Sequence, residues 1–289
     1  IQPELYEAVG RTQQGELTTV KTVSEQAASY SRGTNQWRKF HFESTLNYDR
    51  TFAEDHRTSA LVYYYMSDEK ASKESTSNMN SIPKRYQGLS ARLTYGFRDT
   101  YMIDLNFGYT GSENFQPGRR FGFFPSVALG WVPTQYEFMK NAKWLNFLKI
   151  RASYGTVGND RIANKRFPYL TIVNRGSNSP WGSTSQETLI ESYIGADNLE
   201  WEVATKFDLG IEGKLFDNRI DFVVDFFNDV RTGIYQQRVQ VPSYVGLTSM
   251  PFSNVGEMRS YGADGNISYT ERLTKDLSLT LRGNFTYSK

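Results

Sequence analysis

Residues 91–115, ARLTYGFRDTYMIDLNFGYTGSENF, alternate with a period of two. One phase carries Leu93, Tyr95 and Phe97, then Tyr101, Ile103, Leu105, Phe107 and Tyr109. The other carries Arg92, Thr94, Gly96 and Arg98, then Thr100, Asp104, Asn106, Gly108 and Thr110, with Met102 the exception. Alternation of this kind places successive side chains on opposite faces of a strand. Two long strands are predicted, joined at Arg98–Thr100, with Phe97 and Tyr101 paired and Asp99 in the left-handed conformation; further on, Leu215 and Ile220 are expected to bracket a four-residue turn.

The same pattern recurs along the chain. Phe40, Phe42, Leu46 and Tyr48 share one phase of 39–49, and Val127, Leu129 and Trp131 one phase of 126–131. Leu148, Ile150, Ala152 and Tyr154 do so in 148–154, and Phe207, Leu209 and Ile211 in 206–212. Ile220, Phe222, Val224 and Phe226 follow, and 261–269 and 277–287 repeat the theme. The apolar phase of these segments carries no charge, although 22% of the chain is Asp, Glu, Lys or Arg. Residues 59–66, SALVYYYM, are apolar in both phases and leave their outward face undecided. Ten strands are read, with an eleventh expected near 16–23.

Connections between the strands alternate in kind. Those around 50–57, 98–100, 132–146, 215–219 and 270–276 are short or compact, with a short helix or turn expected within 135–147. Those at about 67–85, 111–120, 157–198 and 233–255 are long and polar. Antiparallel neighbours then gather the tight turns at one end of the sheet and the long loops at the other. Runs such as 86–98 and 199–214 exceed the five or six residues of an ordinary globular strand. They exceed even the roughly 9–11 residues with which a tilted strand crosses a bilayer.

A soluble sandwich would bury the apolar face against a second sheet and have no need of unequal ends. A membrane barrel turns that face to lipid, with short turns on one side and long loops on the other. The expected fold class is therefore all-β: an antiparallel transmembrane β-barrel, present as a partial chain. Tyr48, Tyr95, Tyr101, Trp131 and Tyr154 are expected to contribute to interfacial girdles.

The bulk numbers agree. The 289 residues carry a net charge of +2, which argues for no nucleic-acid partner. No apolar run reaches the length of a transmembrane helix. The mean hydropathy of −0.57 is compatible with a barrel, in which only alternate residues meet lipid. The absence of Cys excludes disulfides and thiolate metal sites. His41 and His56 have no second ligand at metal-binding spacing, so no metal and no cofactor are assigned. No signal peptide is visible at the start, and the end, LTLRGNFTYSK, falls within a strand-like run, as expected for an internal piece of a longer protein.

The segment GYTGSENFQPGRRFGFFPSVALGWVPTQYEFMK, 108–140, resembles the SusC/RagA family of TonB-linked outer-membrane transporters of Bacteroidetes, at Phe115, Arg119, Arg120, Phe124, Pro125, Ser126, Gly130, Trp131, Phe138 and Met139. LKIRASYGTVGND (148–160), LEWEVATKFDLGIEGKLFDNRIDFVVDFFNDVRTGI (199–234) and SNVGEMRSYGADGNISY (253–269) resemble further family segments, with Ser260 and Ala263 departing from common choices. The resemblance implies a barrel of about 22 strands around an N-terminal plug. Residues 1–289 would then form a section of that single barrel domain holding about 10–11 strands, without the plug and the last strands.

It also implies TonB-energised import of glycan fragments or oligopeptides across the outer membrane, with a SusD-like surface lipoprotein as partner. The TonB complex would act through the N-terminal region outside this chain. A structural or secretion-associated outer-membrane barrel, a siderophore or cobalamin receptor, and a soluble all-β carbohydrate-binding domain or enzyme are the alternatives. No catalytic constellation stands out, so no enzyme activity is assigned. Trp181, Tyr235, Tyr244 and Phe252, in the long loops, are the candidate solute contacts. The inward charges Arg92, Asp104, Arg151, Asp208 and Asp225 are expected to pair with one another or with the plug.

Overall fold

A computed structural model describes residues 3–24, 30, 32, 36–71, 79, 82–161, 166–239, 241–247 and 250–289. Among the described residues ten strands form one antiparallel sheet: β3 (Trp37–Phe52), β4 (His56–Ala71), β5 (Lys84–Phe97), β6 (Tyr101–Ser112), β7 (Phe121–Trp131), β8 (Leu145–Asn159), β13 (Glu202–Leu215), β14 (Ile220–Gln237), β15 (Phe252–Arg272) and β16 (Ser278–Ser288). Each pairs with its neighbour in this order. Between β8 and β13 lie four short strands, β9 (Ile172–Arg175), β10 (Ser179–Trp181), β11 (Thr184–Gln186) and β12 (Leu189–Tyr193), paired β9 with β12 and β10 with β11.

A separate unit, mostly the first 37 residues, contains the hairpin of β1 (Leu5–Arg11) and β2 (Leu17–Val23). The strand expected near 16–23 therefore exists, but it pairs with β1 and is not an eleventh member of the large sheet. Its seven residues, LTTVKTV, alternate too weakly to show which partner they take.

The turn pairings match the sequence reading. Phe97 faces Tyr101, and Leu215 faces Ile220. Arg98 and Asp99 both have positive φ, 52° and 48°, as a type I′ turn requires, and the Thr100 N–H closes on the Phe97 carbonyl at 2.9 Å. The expected short helix between β7 and β8 is α1, Glu137–Lys140, preceded by a 3₁₀ turn at Pro133–Gln135. All tight turns fall at one end of the sheet. The long connections fall at the other.

Strands run past the apolar windows read from sequence. β14 reaches Gln237 and β15 begins at Phe252, so Tyr235 and Phe252 lie on paired strands and not in a loop. The apolar periodicity stops short of the strand ends; the backbone ladder does not.

Register places one continuous apolar row across the wall: Tyr95, Ile103, Leu129, Ala152, Leu209, Phe226, Ala263 and Tyr287 are successive cross-strand neighbours. Among the described residues no second layer covers this face. Leu105 is 45% exposed and Leu129 53%. Asp104 and Asp208 stand on the opposite face with Arg92 and Arg151. Among the described residues no helix is long and apolar enough to cross a membrane.

The ambiguous segment 59–66 is settled by its partner. Ala60 faces Leu93 and Val62 faces Ala91 on the apolar side. Tyr63 and Tyr65 therefore point to the polar side, where the Tyr63 hydroxyl donates to Glu43 at 3.0 Å. Gly88, opposite Tyr65, leaves room for that ring, because a Cβ there would lie 2.6 Å from it.

At the turn end, Tyr101 pairs across to Trp131, its hydroxyl bonds to that of Tyr136, and Tyr95 bonds to His56 at 2.7 Å. These are the ring-plus-hydroxyl residues an interface selects. Tyr154, which pairs with Val127 and Phe207, stands within the wall instead of at its end.

Candidate functional site

The polar face carries charge that is largely self-compensated. Arg151 is its centre. Its row runs Gly130, Arg151, Gly210, Asp225 and Asp264 across successive strands. The guanidinium donates from Nε to Glu212 at 2.9 Å, from Nη1 to Asp208 at 3.2 Å and from Nη2 to Asp225 at 2.8 Å. Lys149 stands 3.6 Å from Glu212.

Gly210 makes this possible. A Cβ at that position would lie 2.3 Å from an Asp225 carboxylate oxygen and 2.7 Å from the Arg151 Nε. Carboxylates directly opposite each other repel, so the facing pair Asp225 and Asp264 needs the arginine nearby. Nearby, Arg92 donates to Asp104 at 3.1 Å and Lys206 to Asp229 at 3.0 Å. The five inward charges singled out in the sequence thus pair with one another.

Above the wall, at the loop end, lies the buried core. Phe115 and Leu199 are fully buried with Ala196, and Tyr169, Trp201 and Tyr235 pack against them. Trp201 stacks on Phe115 at 4.7 Å and meets Phe124 edge-on at 5.3 Å. Tyr193 donates to the Pro168 carbonyl at 3.0 Å, and its hydroxyl bonds to that of Tyr235 at 2.6 Å. Phe252 stacks on Tyr235 at 5.4 Å. Burial first, then the bond to Tyr193, drives the Tyr235 phenol far above its ordinary pKa, so it stays protonated. This cluster fastens the loop between β8 and β13 to the tops of β14 and β15.

Arg166 fastens the same loop elsewhere. It donates to the carbonyls of Met79, Ile82 and Pro83, lies 3.5 Å from Glu113 and sits over the Phe167 ring at 4.7 Å. Asn114 donates to the Asp160 carbonyl at 3.0 Å. Connections after β4, β6 and β8 are joined into one platform.

The four candidate contact residues separate. Trp181 sits beside Gly182 at the tip of the β10–β11 hairpin, 77% exposed, and Tyr244 is 88% exposed in a 3₁₀ turn at Ser243–Val245. Tyr235 and Phe252 belong to the packed platform. Tyr193 and Arg166 carry no periodic or motif signal. Phe115 and Trp201 lie in the family-like segments, but only the fold brings them together. Among the described residues no group of three His, Cys, Asp or Glu could hold a metal ion.

Tyr235→Phe removes one buried hydroxyl partner and is expected to destabilise the platform by about 1 kcal/mol. Hydrogen exchange should then quicken at 166–199 and stay unchanged in β5 and β6.

Residues 6–289 match the family described as TonB dependent receptor-like, beta-barrel. TonB-dependent receptor P3 of Formosa agariphila is 25% identical over 94% of this chain and 27% of its own length. TonB-dependent receptor SusC of Bacteroides thetaiotaomicron is 28% identical over 68% of this chain and 20% of its own length. The chain therefore spans about a quarter of these relatives. Among solved structures, the RagAB peptide transporter superposes with a TM-score of 0.69 at 24% identity, over 88% of this chain and 30% of that one. The siderophore receptor PirA of Acinetobacter baumannii gives 0.56 at 10% identity, over 95% and 38%.

Proposed function

The chain belongs to the family of TonB-dependent receptor-like β-barrels, and from that membership we propose that it is a section of the wall of an outer-membrane importer. The whole protein takes up glycan fragments or oligopeptides. The plug and the remaining strands are supplied by the rest of its length. TonB acts on the plug to release solute inward, and a SusD-like surface lipoprotein caps the loop end.

Family membership over residues 6–289 carries this reading. The charge-free outward row supports it, because in lipid each charge at mid-depth costs about 2–4 kcal/mol. The continuous ten-strand ladder supports it as well, since hydrocarbon offers backbone groups no other partner.

Within this scheme the wall and its platform hold the loops, and Trp181 and Tyr244 meet the solute. Both present a ring with a polar edge, suited to stacking on a sugar face or a peptide side chain. Trp181→Ala and Tyr244→Ala are each expected to weaken solute binding about fivefold, from aromatic contacts worth about 1 kcal/mol. Calorimetry on the full-length protein with its lipoprotein checks this.

The function itself is tested by uptake of labelled oligosaccharides and oligopeptides in cells with and without the TonB complex and the lipoprotein. Uptake should cease when TonB is lost. Uptake that persists without TonB rejects the proposal.

A further inference from the structure

The outward face is not uniformly convex. It holds a groove of about 690 Å³ spanning β4 to β8, whose floor includes Ala60, Ala91 and Pro125 and whose sides include Leu105, Phe107 and Tyr154. A second hollow, of about 670 Å³, lies further along the same face across β3 to β7, with Met66, Gln87 and Phe121 at the Asp68–Arg85 pair.

Pro125 helps open the lower groove. It offers no N–H, and the β7–β8 ladder stops beside it at Ser126 and Gly155. β8 nevertheless continues along β13 to Asn159, and β7 continues along β6 to Phe121. The Pro125 carbonyl instead accepts from the Thr156 hydroxyl at 3.4 Å.

Depth identifies the occupant. The lower groove lies between the turn end, at Phe97 and Tyr101, and the loop end of strands that need about 9–11 residues to cross hydrocarbon, so it sits near the middle of the bilayer. From Leu93 to Gln87 the strand climbs about 20 Å, at about 3.3 Å per residue. At a tilt of about 45° that is about 14 Å of height, close to one leaflet of a core about 30 Å thick.

The upper hollow therefore lies at headgroup level, and charged side chains first appear there on the outward face of β4 and β5. The Arg85 guanidinium donates from Nε to Asp68 at 2.7 Å and its backbone N–H donates to Glu113 at 3.4 Å; the side chain is 61% exposed, which leaves guanidinium N–H groups for a phosphate. An unfilled hollow at mid-depth would forfeit dispersion contacts along its whole lining.

We propose that the two hollows together form a site for one outer-leaflet lipid, with its phosphate on Arg85 and an acyl chain descending to the groove over Ala91 and Pro125. The site rests on the membrane reading given above, and the test separates the two. The full-length protein is placed in nanodiscs of phosphatidylethanolamine and phosphatidylglycerol, with a photoreactive benzoylphenylalanine at Phe107, in the groove, or at Phe226, on the same face outside it. Lipid adducts are then quantified by mass spectrometry.

The yield at Phe107 is expected to exceed that at Phe226 about fivefold, equivalent to about 1 kcal/mol of preference. Arg85→Gln, which keeps the β5 backbone, and Ala91→Phe, which fills the floor, should each bring the Phe107 yield down to the Phe226 level while the heat-modifiable barrel persists. Equal yields at the two positions in the unsubstituted background overturn the site and leave the membrane wall intact, as does a Phe107 adduct to polypeptide. Absence of lipid adducts at both positions overturns the membrane reading itself.

Discussion

Leu209→Arg is expected to destabilise the barrel by about 2–4 kcal/mol, the cost of a cation on the lipid-facing side at mid-depth. Leu209 lies in the uncharged cross-strand row, between Ala152 and Phe226. An arginine there has no acidic neighbour on its own face, and the hydrocarbon cannot solvate it. Ser153→Arg is the matched control. Ser153 faces Asp208 on the polar side, and the same cation there should change stability by no more than about 0.5 kcal/mol. The measurement is the urea midpoint of the full-length protein folded into lipid vesicles, followed by its heat-modifiable band. Equal costs at the two positions would mean that the two faces do not meet different solvents, and the wall would have to be reassigned.

The second large effect is expected at Arg151. Arg151→Met keeps much of the side-chain length and removes the cation, leaving Asp208, Glu212 and Asp225 together beside Asp264. Hydrogen bonds to charged groups are worth about 1.5–3 kcal/mol where they are shielded from water. The Arg151 side chain is 35% exposed, so screening reduces its share, and a loss of about 1–3 kcal/mol is expected. Replacing Asp225 by Asn in the same background should recover part of it, because the repulsion between Asp225 and Asp264 goes with the charge. A double-mutant cycle on the unfolding midpoint isolates the coupling. A coupling of zero would make the cluster decorative.

The outward–inward division was legible because it is a property of alternate residues. Leu105 and Asp104, or Leu209 and Asp208, are neighbours in sequence and opposites in environment, so the pattern survives without coordinates. The turn ends were legible for a related reason: Phe97 and Tyr101, and Leu215 and Ile220, keep the same phase across a short link. The SusC/RagA resemblance of 108–140 is borne out by the relatives, SusC among them. The strand at 17–23 was legible as a strand but not as a partner of β1, since weak alternation fixes neither face nor neighbour.

The candidate contacts divide along the same line. Exposure of Trp181 and burial of Tyr235 cannot be told apart from composition, because both sit in polar, glycine-containing stretches. The platform joins Phe115, Tyr193, Trp201 and Tyr235, which come from four separate stretches of chain. Sequence alone determined the two faces, the strand order and the unequal ends, since each depends on residues a few positions apart. The tertiary structure alone decided the face shown by Tyr63 and Tyr65, the gathering of carboxylates on Arg151, the loop platform and the hollows beside Pro125. Each of those depends on register between strands, and register is set by pairing energies summed over whole strands, which no local pattern contains.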